Sequence, residues 1–283
     1  AQAGIVEPVY KQFNTPHLAG ANNDPSPASI SITPDGKKMF VLSHFHRKFY
    51  IYDLTTPFDL STMDVSNRSV VNMIGGGIGA PFVDNDNKDI EFNNDGTKVF
   101  VFGHQGDLFI HNLTTPYDVA SISSSTVVPD DGLDYNTAYG TNARIEGVTF
   151  NNDGTKMYLS DGSDITQVNL STPFVPSSGT VAHNLDTDGI IARNAKDLAF
   201  DDDGTRFYLS ETRTSVDVNY MYVWKLSNPF ELSSATYVDK WQILGNGNNI
   251  SPYGWTFGNN GMKLYIGTED MSADGRVIYE YDL

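Results

Sequence analysis

Residues 148–160, VTFNNDGTKMYLS, contain two short apolar stretches on either side of an Asp-Gly pair. Apolar and polar residues alternate in both stretches, which is typical of β-strands. Asp-Gly favours the positive φ angles of a tight turn between two antiparallel strands. The segment therefore predicts a β-hairpin.

The same hairpin pattern occurs five times along the chain. The copies are ISITPDGKKMFVL (30–42), IEFNNDGTKVFVF (90–102), VTFNNDGTKMYLS (148–160), LAFDDDGTRFYLS (198–210) and WTFGNNGMKLYIG (255–267). The residue before the glycine is Asp35, Asp95, Asp153, Asp203 and Asn260, which gives spacings of 60, 58, 50 and 57 residues. A period of this length is typical of a repeat architecture.

Each repeat has room for two further strands. A third strand, such as residues 108–113, is followed by a turn containing Pro and an aromatic residue, as at 113–117, and residues 236–241 indicate a fourth, outer strand. Four strands per unit predict a β-propeller blade. The fold class is therefore all-β, a five-bladed β-propeller with four-stranded antiparallel blades.

The two ends of the chain together supply one repeat. The last unit ends after its third strand, and residues 9–13 resemble the outer strand at 237–241. We predict that the N-terminal segment is the outer strand of the last blade, which closes the ring and removes an exposed edge. The prediction is one domain over 1–283, with blades at about 27–74, 87–128, 144–184, 195–245, and 252–283 plus 5–15.

The motif F-x-x-DGTKMY followed by LSTPFDLS resembles the β-propeller repeats common in proteins of marine bacteria and their phages. The resemblance covers nearly the whole chain and implies the propeller fold. It implies little about activity, because propellers host lectins, hydrolases, lactonases and scaffolds. The fifth copy departs from the motif at Asn-Asn-Gly-Met, and the third repeat has Pro-Phe-Val-Pro at 173–176.

Composition excludes several classes of function. The 283 residues carry a formal net charge of −17 with a pI near 4.5, so we expect no nucleic acid partner, because phosphate would be repelled. No apolar run approaches the length of a membrane span, so we expect no membrane insertion. Cysteine is absent, which excludes disulfides and thiol nucleophiles.

The mouth of the axial channel is the candidate ligand site. The Asp-Gly turns define the bottom face of the ring, and the top face carries the long loops. Alignment on the turns places five residues at one level near the axis: Ser29, Asp89, Gly147, Asp197 and Gly254. One residue earlier lie Ala28, Lys88, Glu146, Lys196 and Tyr253. These residues predict a charge-paired pocket on the top face; alternatively, the aspartates hydrogen-bond the backbone of the neighbouring blade.

Two histidines extend this candidate site. His44 and His104 occupy the same place in blades one and two, near the top face. Aromatic rings such as that of Tyr253, with nearby carboxylates, are suited to sugar rings, so carbohydrate recognition is one interpretation. The equivalent positions in the other blades are not histidines, which disfavours a ring of transition-metal ligands.

The acidic top loops also suggest a cation and a second class of function. Asp84, Asp86 and Asp89 alternate like the start of a calcium loop but lack its later glycine and glutamate, so calcium is the one cofactor considered. The three carboxylates of Asp89, Glu146 and Asp197 resemble the catalytic acids of five-bladed glycosidases. A hydrolase, either glycosidase or lactonase, is therefore the alternative function.

The favoured function is a non-catalytic binding or structural module. It depends on the regular repeats, on the acidic exterior, on the absence of the serine-hydrolase, zincin and P-loop motifs, and on the resemblance. Such a surface remains soluble in salty medium, so we expect an extracellular, cell-surface or virion location. The expected partner is a polysaccharide or another surface or virion protein.

Overall fold

The computed structural model describes residues 9–14, 27–43, 48–72, 87–103, 108–128, 145–191, 194–212, 219–245, 248–249, 252–268 and 277–283. These residues form five four-stranded antiparallel sheets, arranged as a five-bladed β-propeller. The predicted fold class is confirmed. No helix within these ranges is long and apolar enough to cross a membrane.

The strands follow the repeat. The first strand of the chain is β1 (Val9–Asn14). Blade one contains β2 (Pro27–Ile32), β3 (Lys38–Ser43), β4 (Lys48–Asp53) and β5 (Ser69–Asn72). Blade two contains β6 (Asn87–Phe92), β7 (Lys98–Gly103), β8 (Leu108–Leu113) and β9 (Ile122–Val128). Blade three contains β10 (Gly147–Phe150), β11 (Lys156–Ser160), β12 (Asp164–Leu170) and β13 (Gly179–Asp186).

Blades four and five complete the ring. Blade four contains β14 (Ala195–Phe200), β15 (Arg206–Glu211), β16 (Tyr220–Leu226) and β17 (Ala235–Gln242). A two-stranded hairpin follows, β18 (Leu244–Gly245) and β19 (Asn248–Asn249). Blade five contains β20 (Pro252–Gly258), β21 (Lys263–Thr268) and β22 (Val277–Asp282). Four 3₁₀ turns lie before the outer strands, at Leu60–Thr62, Val119–Ser121, Pro176–Ser178 and Leu232–Ser234.

The N-terminal strand closes the ring. β1 pairs antiparallel with β22, from Val9 opposite Asp282 to Asn14 opposite Val277. Blade five is therefore built from both ends of the chain, as its missing outer strand predicted. This pairing covers the edge of β22, which would otherwise expose a row of unpaired backbone groups.

The Asp-Gly turn and the Pro-aromatic turn of blades one to four form one unit. Gly96 has a φ of 68°, and a Cβ there would lie 2.3 Å from the ring of Tyr117. The aromatic residue is itself left-handed, with φ 57° at Tyr117. The glycine is thus needed both for its backbone angle and for the ring that covers it. In blade five, Asn259, Asn260 and Gly261 all have positive φ, so the departure from the motif is a different turn.

Apolar faces of neighbouring blades form the core. Between blades one and two, Phe40 and Phe49 pack with Ile90, Val99 and Phe109, all of them buried. Burying each such side chain contributes about 1.5–3 kcal/mol before the opposing conformational entropy. This packing fixes the angle between blades and so the positions of the five inner strands.

Polar groups cap the 3₁₀ turns at two blade interfaces. Gln167 Oε1 of blade three accepts a hydrogen bond from the N–H of Leu232 in blade four, at 2.8 Å. Glu280 Oε2 accepts one from the N–H of Leu60, at 2.9 Å. In blade three, the residue equivalent to Leu232 is Pro176, which has no N–H to satisfy. The unusual Pro-Phe-Val-Pro sequence therefore removes the need for such a cap.

Candidate functional site

The five residues predicted at one level near the axis form a continuous band. Each lies on an inner strand, and we call the set Ser29, Asp89, Gly147, Asp197 and Gly254 the axial collar. The inner strand is the edge of each sheet, so the N–H groups that point towards the axis have no partner within the blade. The collar provides partners for some of them.

Asp89 links three blades. Its Oδ1 accepts hydrogen bonds from Ser29 Oγ of blade one, at 2.6 Å, and from its neighbour Ile90 N–H, at 2.8 Å. Its Oδ2 accepts one from Val148 N–H of blade three, at 2.7 Å. The residue is 3% exposed. Both oxygens of this carboxylate therefore bind protein donors.

Asp197 repeats the arrangement two blades further on. Its Oδ1 accepts from Leu198 N–H at 2.8 Å, and its Oδ2 accepts from Trp255 N–H of blade five at 3.1 Å. The residue is 5% exposed. The two aspartates thus use the same geometry to connect blade two to blade three and blade four to blade five.

The two glycines of the collar allow direct contact between backbones. A Cβ on Gly147 would lie 2.6 Å from the carbonyl oxygen of Lys196 and 2.7 Å from the Cα of Asp197. A Cβ on Gly254 would lie 2.3 Å from the Cα of Ser29. No side chain fits at these distances, which explains why both positions are glycine. From blade two to blade five, the collar therefore alternates between aspartate and glycine.

The electrostatics of the collar follow from its burial. Burial raises the pKa of Asp89 to about 6, although the hydrogen bonds from Ser29 and the backbone oppose this rise. The pKa of Asp197 is raised well above its ordinary value by burial and then by the negative charge of Asp89. The charge of Asp89 therefore disfavours ionisation of Asp197.

A third carboxylate, that of Glu91, was not among the predicted site residues. It follows Asp89 by two residues on β6, so it lies on the same face of the strand. Burial and then the charge of Asp89 raise the pKa of Glu91 well above its ordinary value, while a hydrogen bond from Thr149 lowers it. The period-two spacing after Asp89 was the signal that could have found it.

The charged residues above the collar form one cluster. The carboxylate of Glu146 lies 2.6 Å from Lys196 Nζ and 3.9 Å from Lys88 Nζ, and all three side chains are largely buried. Tyr253 of blade five is partly exposed. The lysines therefore pair with Glu146 above the collar, whereas the collar aspartates bind backbone N–H groups.

The remaining predicted site residues lie outside the described residues. His44 and His104 are in this group, as are Asp84 and Asp86 of the predicted calcium loop. Asp89, the third predicted calcium ligand, has the hydrogen bonds given above. Within the described ranges, no group of three or more histidine, aspartate and glutamate side chains is arranged to hold a metal ion. Calcium binding stays a prediction.

Comparisons with known proteins support the fold alone. No protein-family model matches the chain, and no curated protein matches it. A luciferin-regenerating enzyme is 10% identical, with a TM-score of 0.53 over 98% of this chain and 95% of that one. A functionally unknown protein from Desulfotomaculum acetoxidans is 15% identical, with a TM-score of 0.51 over 85% of this chain and 78% of that one. Likeness at this identity extends to the propeller fold and not to activity.

Proposed function

We propose that the chain is a non-catalytic β-propeller module that binds its partner through the top face. The observation that carries this proposal is the hydrogen bonding of the axial carboxylates. Asp89 and Asp197 each accept backbone hydrogen bonds from the next blade and are nearly inaccessible to solvent. These hydrogen bonds indicate that both aspartates connect neighbouring inner strands.

A hydrolase would need a different arrangement of the same residues. Glycoside hydrolysis uses one protonated carboxyl group beside the leaving oxygen and a second carboxylate facing the sugar or a water molecule. A group in either role must reach the proton or atom on which it acts. Asp89 and Asp197 instead have their oxygens directed to N–H groups, and Glu146 is paired with Lys196.

The rim above the collar is the proposed recognition surface. The side chains of Glu146, Lys88 and Lys196 keep 10–16% of their surface exposed, with acceptors and donors in fixed positions, and Tyr253 adds a partly exposed aromatic ring at the adjoining position of blade five. Such a combination is suited to the hydroxyl groups and apolar faces of sugars. We propose a polysaccharide as the partner, in an extracellular, cell-surface or virion setting that matches the net charge of −17, with calcium in the top loops.

The test is retention of the protein on a panel of marine and bacterial polysaccharides, with calcium and then with chelator, while released sugars are assayed. Retention without products supports the proposal, and loss on chelation supports calcium in the loops. Lys196→Gln, which also removes the ion-pair partner of the largely buried Glu146, should lower the thermal midpoint but leave the protein folded at the assay temperature, where retention should be weaker than that of wild type. Absence of retention on every polysaccharide would reject carbohydrate recognition and leave a purely architectural role, with a surface or virion protein as partner.

One observation favours the hydrolase as the second candidate. The raised pKa values of Glu91 and Asp197 are of the kind that occurs at catalytic sites. Burial is the first cause of both shifts, which a structural role also explains. If sugars or opened lactones are released and Glu91→Gln abolishes the release without loss of stability, the hydrolase replaces the binding module.

A further inference from the structure

A cleft of about 510 Å³ opens on the bottom face, where blade one meets blade two. We call it the seam cleft, and its walls include Thr33, Pro34, Lys37, Asp53, Pro116 and Tyr117. Its volume is in the range of small-molecule sites. It lies at the opposite end of the ring from the rim, so it is separate from the proposed top-face site.

The repeat provides an internal reference for this cleft. In blade two, Thr97 Oγ1 donates a hydrogen bond to Asp95 Oδ1 at 2.5 Å, and Asn93 Oδ1 accepts one from Lys98 N–H at 2.8 Å. Blade three has the same pair of hydrogen bonds. The threonine directly after the glycine therefore helps to hold the ordinary turn.

Blade one makes these hydrogen bonds with a different residue. Thr33 Oγ1 donates to Asp35 Oδ1 at 2.6 Å and accepts from Lys38 N–H at 3.0 Å. Thr33 thus replaces both the asparagine and the threonine of the other turns. The position after the glycine is released from this role, and it is occupied by Lys37, whose side chain is exposed.

A second exchange occurs across the same interface. On the bottom face, Asn94 Nδ2 donates to the carbonyl of Asn152, and Asn152 Nδ2 donates to that of Asp202 at 2.7 Å. Pro34 stands at this position in blade one and has no donor. The carbonyl of Asn94 instead accepts a hydrogen bond from the hydroxyl of Tyr117, at 3.0 Å. The equivalent residues in the other blades are Phe58, Phe174 and Phe230.

The residues that depart from the repeat therefore come from blades one and two and line the same cleft. Each is compensated locally: Thr33 replaces the missing turn contacts, and Tyr117 replaces the missing amide donor. Compensation keeps the fold intact while the lining changes. Pro34 of blade one and Tyr117 of blade two line the same cleft.

The lining indicates the chemistry of a ligand. The ring of Tyr117 covers Gly96 and packs against Phe92 with centroids 5.3 Å apart, so its position is fixed. Together with Pro34 and Pro116, it forms an apolar wall. A rigid aromatic surface of this kind binds the C–H face of a ring at low cost in conformational entropy.

The charged groups of the cleft balance one another. Lys38 Nζ is paired with Asp53 Oδ1 at 2.7 Å. Asp35 already accepts bonds from Thr33 and from the N–H of Lys37, and these hold its pKa below the ordinary value. The ammonium group of Lys37 remains exposed beside them. The two lysines and two aspartates give the cleft no net charge. Since the whole chain has a net charge of −17, it repels anions at long range.

We propose that the seam cleft binds a neutral saccharide of one or two rings, stacked on Tyr117 and hydrogen-bonded by Lys37. The site goes beyond the top-face function, because its residues and its position are different. Neutral rings match its balanced charge, its apolar wall and its volume. The aspartates provide acceptors for the hydroxyl groups, and the lysines provide donors.

The test uses saturation-transfer NMR with neutral probes: methyl glucosides, galactosides and mannosides, maltose and cellobiose. Methyl glucuronide and methyl galacturonide are the anionic probes. The wild-type chain should bind at least one neutral sugar. Lys37→Thr, which restores the residue of blades two to four, should raise the dissociation constant about tenfold, as expected for the loss of one charged hydrogen bond.

Three further variants keep the result interpretable. Tyr117→Ala should abolish the signal, whereas Phe174→Ala, the matched loss of an aromatic ring at another blade, should retain it. Lys196→Gln on the top face should also leave it unchanged, which separates this site from the proposed function. The proposal is overturned if no neutral sugar binds, if only the anionic sugars bind, or if binding survives both Lys37→Thr and Tyr117→Ala.

Discussion

Replacing Gly147 by alanine tests how tightly the collar is closed. The new Cβ would lie 2.6 Å from the carbonyl oxygen of Lys196, whereas ordinary contact begins near 3.4 Å. The strands β10 and β14 must separate by about 0.8 Å, and such overpacking costs about 1–3 kcal/mol. Alanine recovers about 0.4–1 kcal/mol by restricting the unfolded chain. The expected net loss is about 1–2 kcal/mol of unfolding free energy.

Two other glycines make this a graded series. Gly254→Ala would bring a Cβ to 2.3 Å from the Cα of Ser29, so its loss should be larger. Gly267→Ala would bring a Cβ to 3.1 Å from the Cβ of Pro27 and to 3.4 Å from the carbonyl oxygen of Gly254, so its loss should be the smallest of the three. Urea unfolding at pH 7 measures all three, with m-values checked for constancy. Equal stability of Gly147→Ala and Gly267→Ala would refute the close approach of the inner strands.

Three further predictions concern buried polar groups. The pKa of Glu91 is raised on folding, so its contribution to stability is present below pH 4.5 and is lost as the pH rises. The Glu91→Gln variant should therefore unfold at a higher urea concentration than wild type at pH 8, and this difference should vanish near pH 4. Burial lowers the pKa of His111 to about 4 from 6.5, so acidification across this range should lower the free energy of unfolding by about 3 kcal/mol. Thermal melts of the His111→Leu variant should lack that loss, and the same pH profile in wild type and variant would contradict the prediction. Gln167→Leu leaves the N–H of Leu232 without its acceptor and Glu231 Oε2 without the amide donor at 2.9 Å, so it should cost about 1–3 kcal/mol by urea unfolding. Gln167→Glu, which places a second carboxylate against Glu231, should cost at least as much at pH 7, and wild-type stability of both variants would contradict these contacts.

The fold could be predicted because its signals are local. The Asp-Gly hairpin is specified by neighbouring residues, and its five copies fix the number of blades. The missing outer strand and residues 9–13 predicted the ring closure that β1 and β22 make. Alignment of the repeats also placed Asp89 and Asp197 at one level without any structural information.

The roles of these residues depended on contacts that no local pattern contains. Whether Asp89 faces solvent or the N–H of Val148 is set by the distance between β6 and β10, which the packing of whole blades determines. Glu91 lies two residues after Asp89 on the same strand, and its desolvation depends on the neighbouring blades, which no local pattern contains. The exchange between Pro34 and Tyr117 joins residues 83 positions apart, and it is seen only from the hydrogen bond of Tyr117 to Asn94 and from the cleft that both residues line.

Amide hydrogen exchange at Val148 and Trp255 tests the central claim most directly. Both N–H groups lie on inner edge strands, and the account assigns their protection to the carboxylates of Asp89 and Asp197. Measured by NMR at pH 7, both amides should exchange as slowly as amides within the β-ladders. Exchange within the first minutes would mean that the carboxylates are not bound to the inner strands, and it would return them to consideration as catalytic groups.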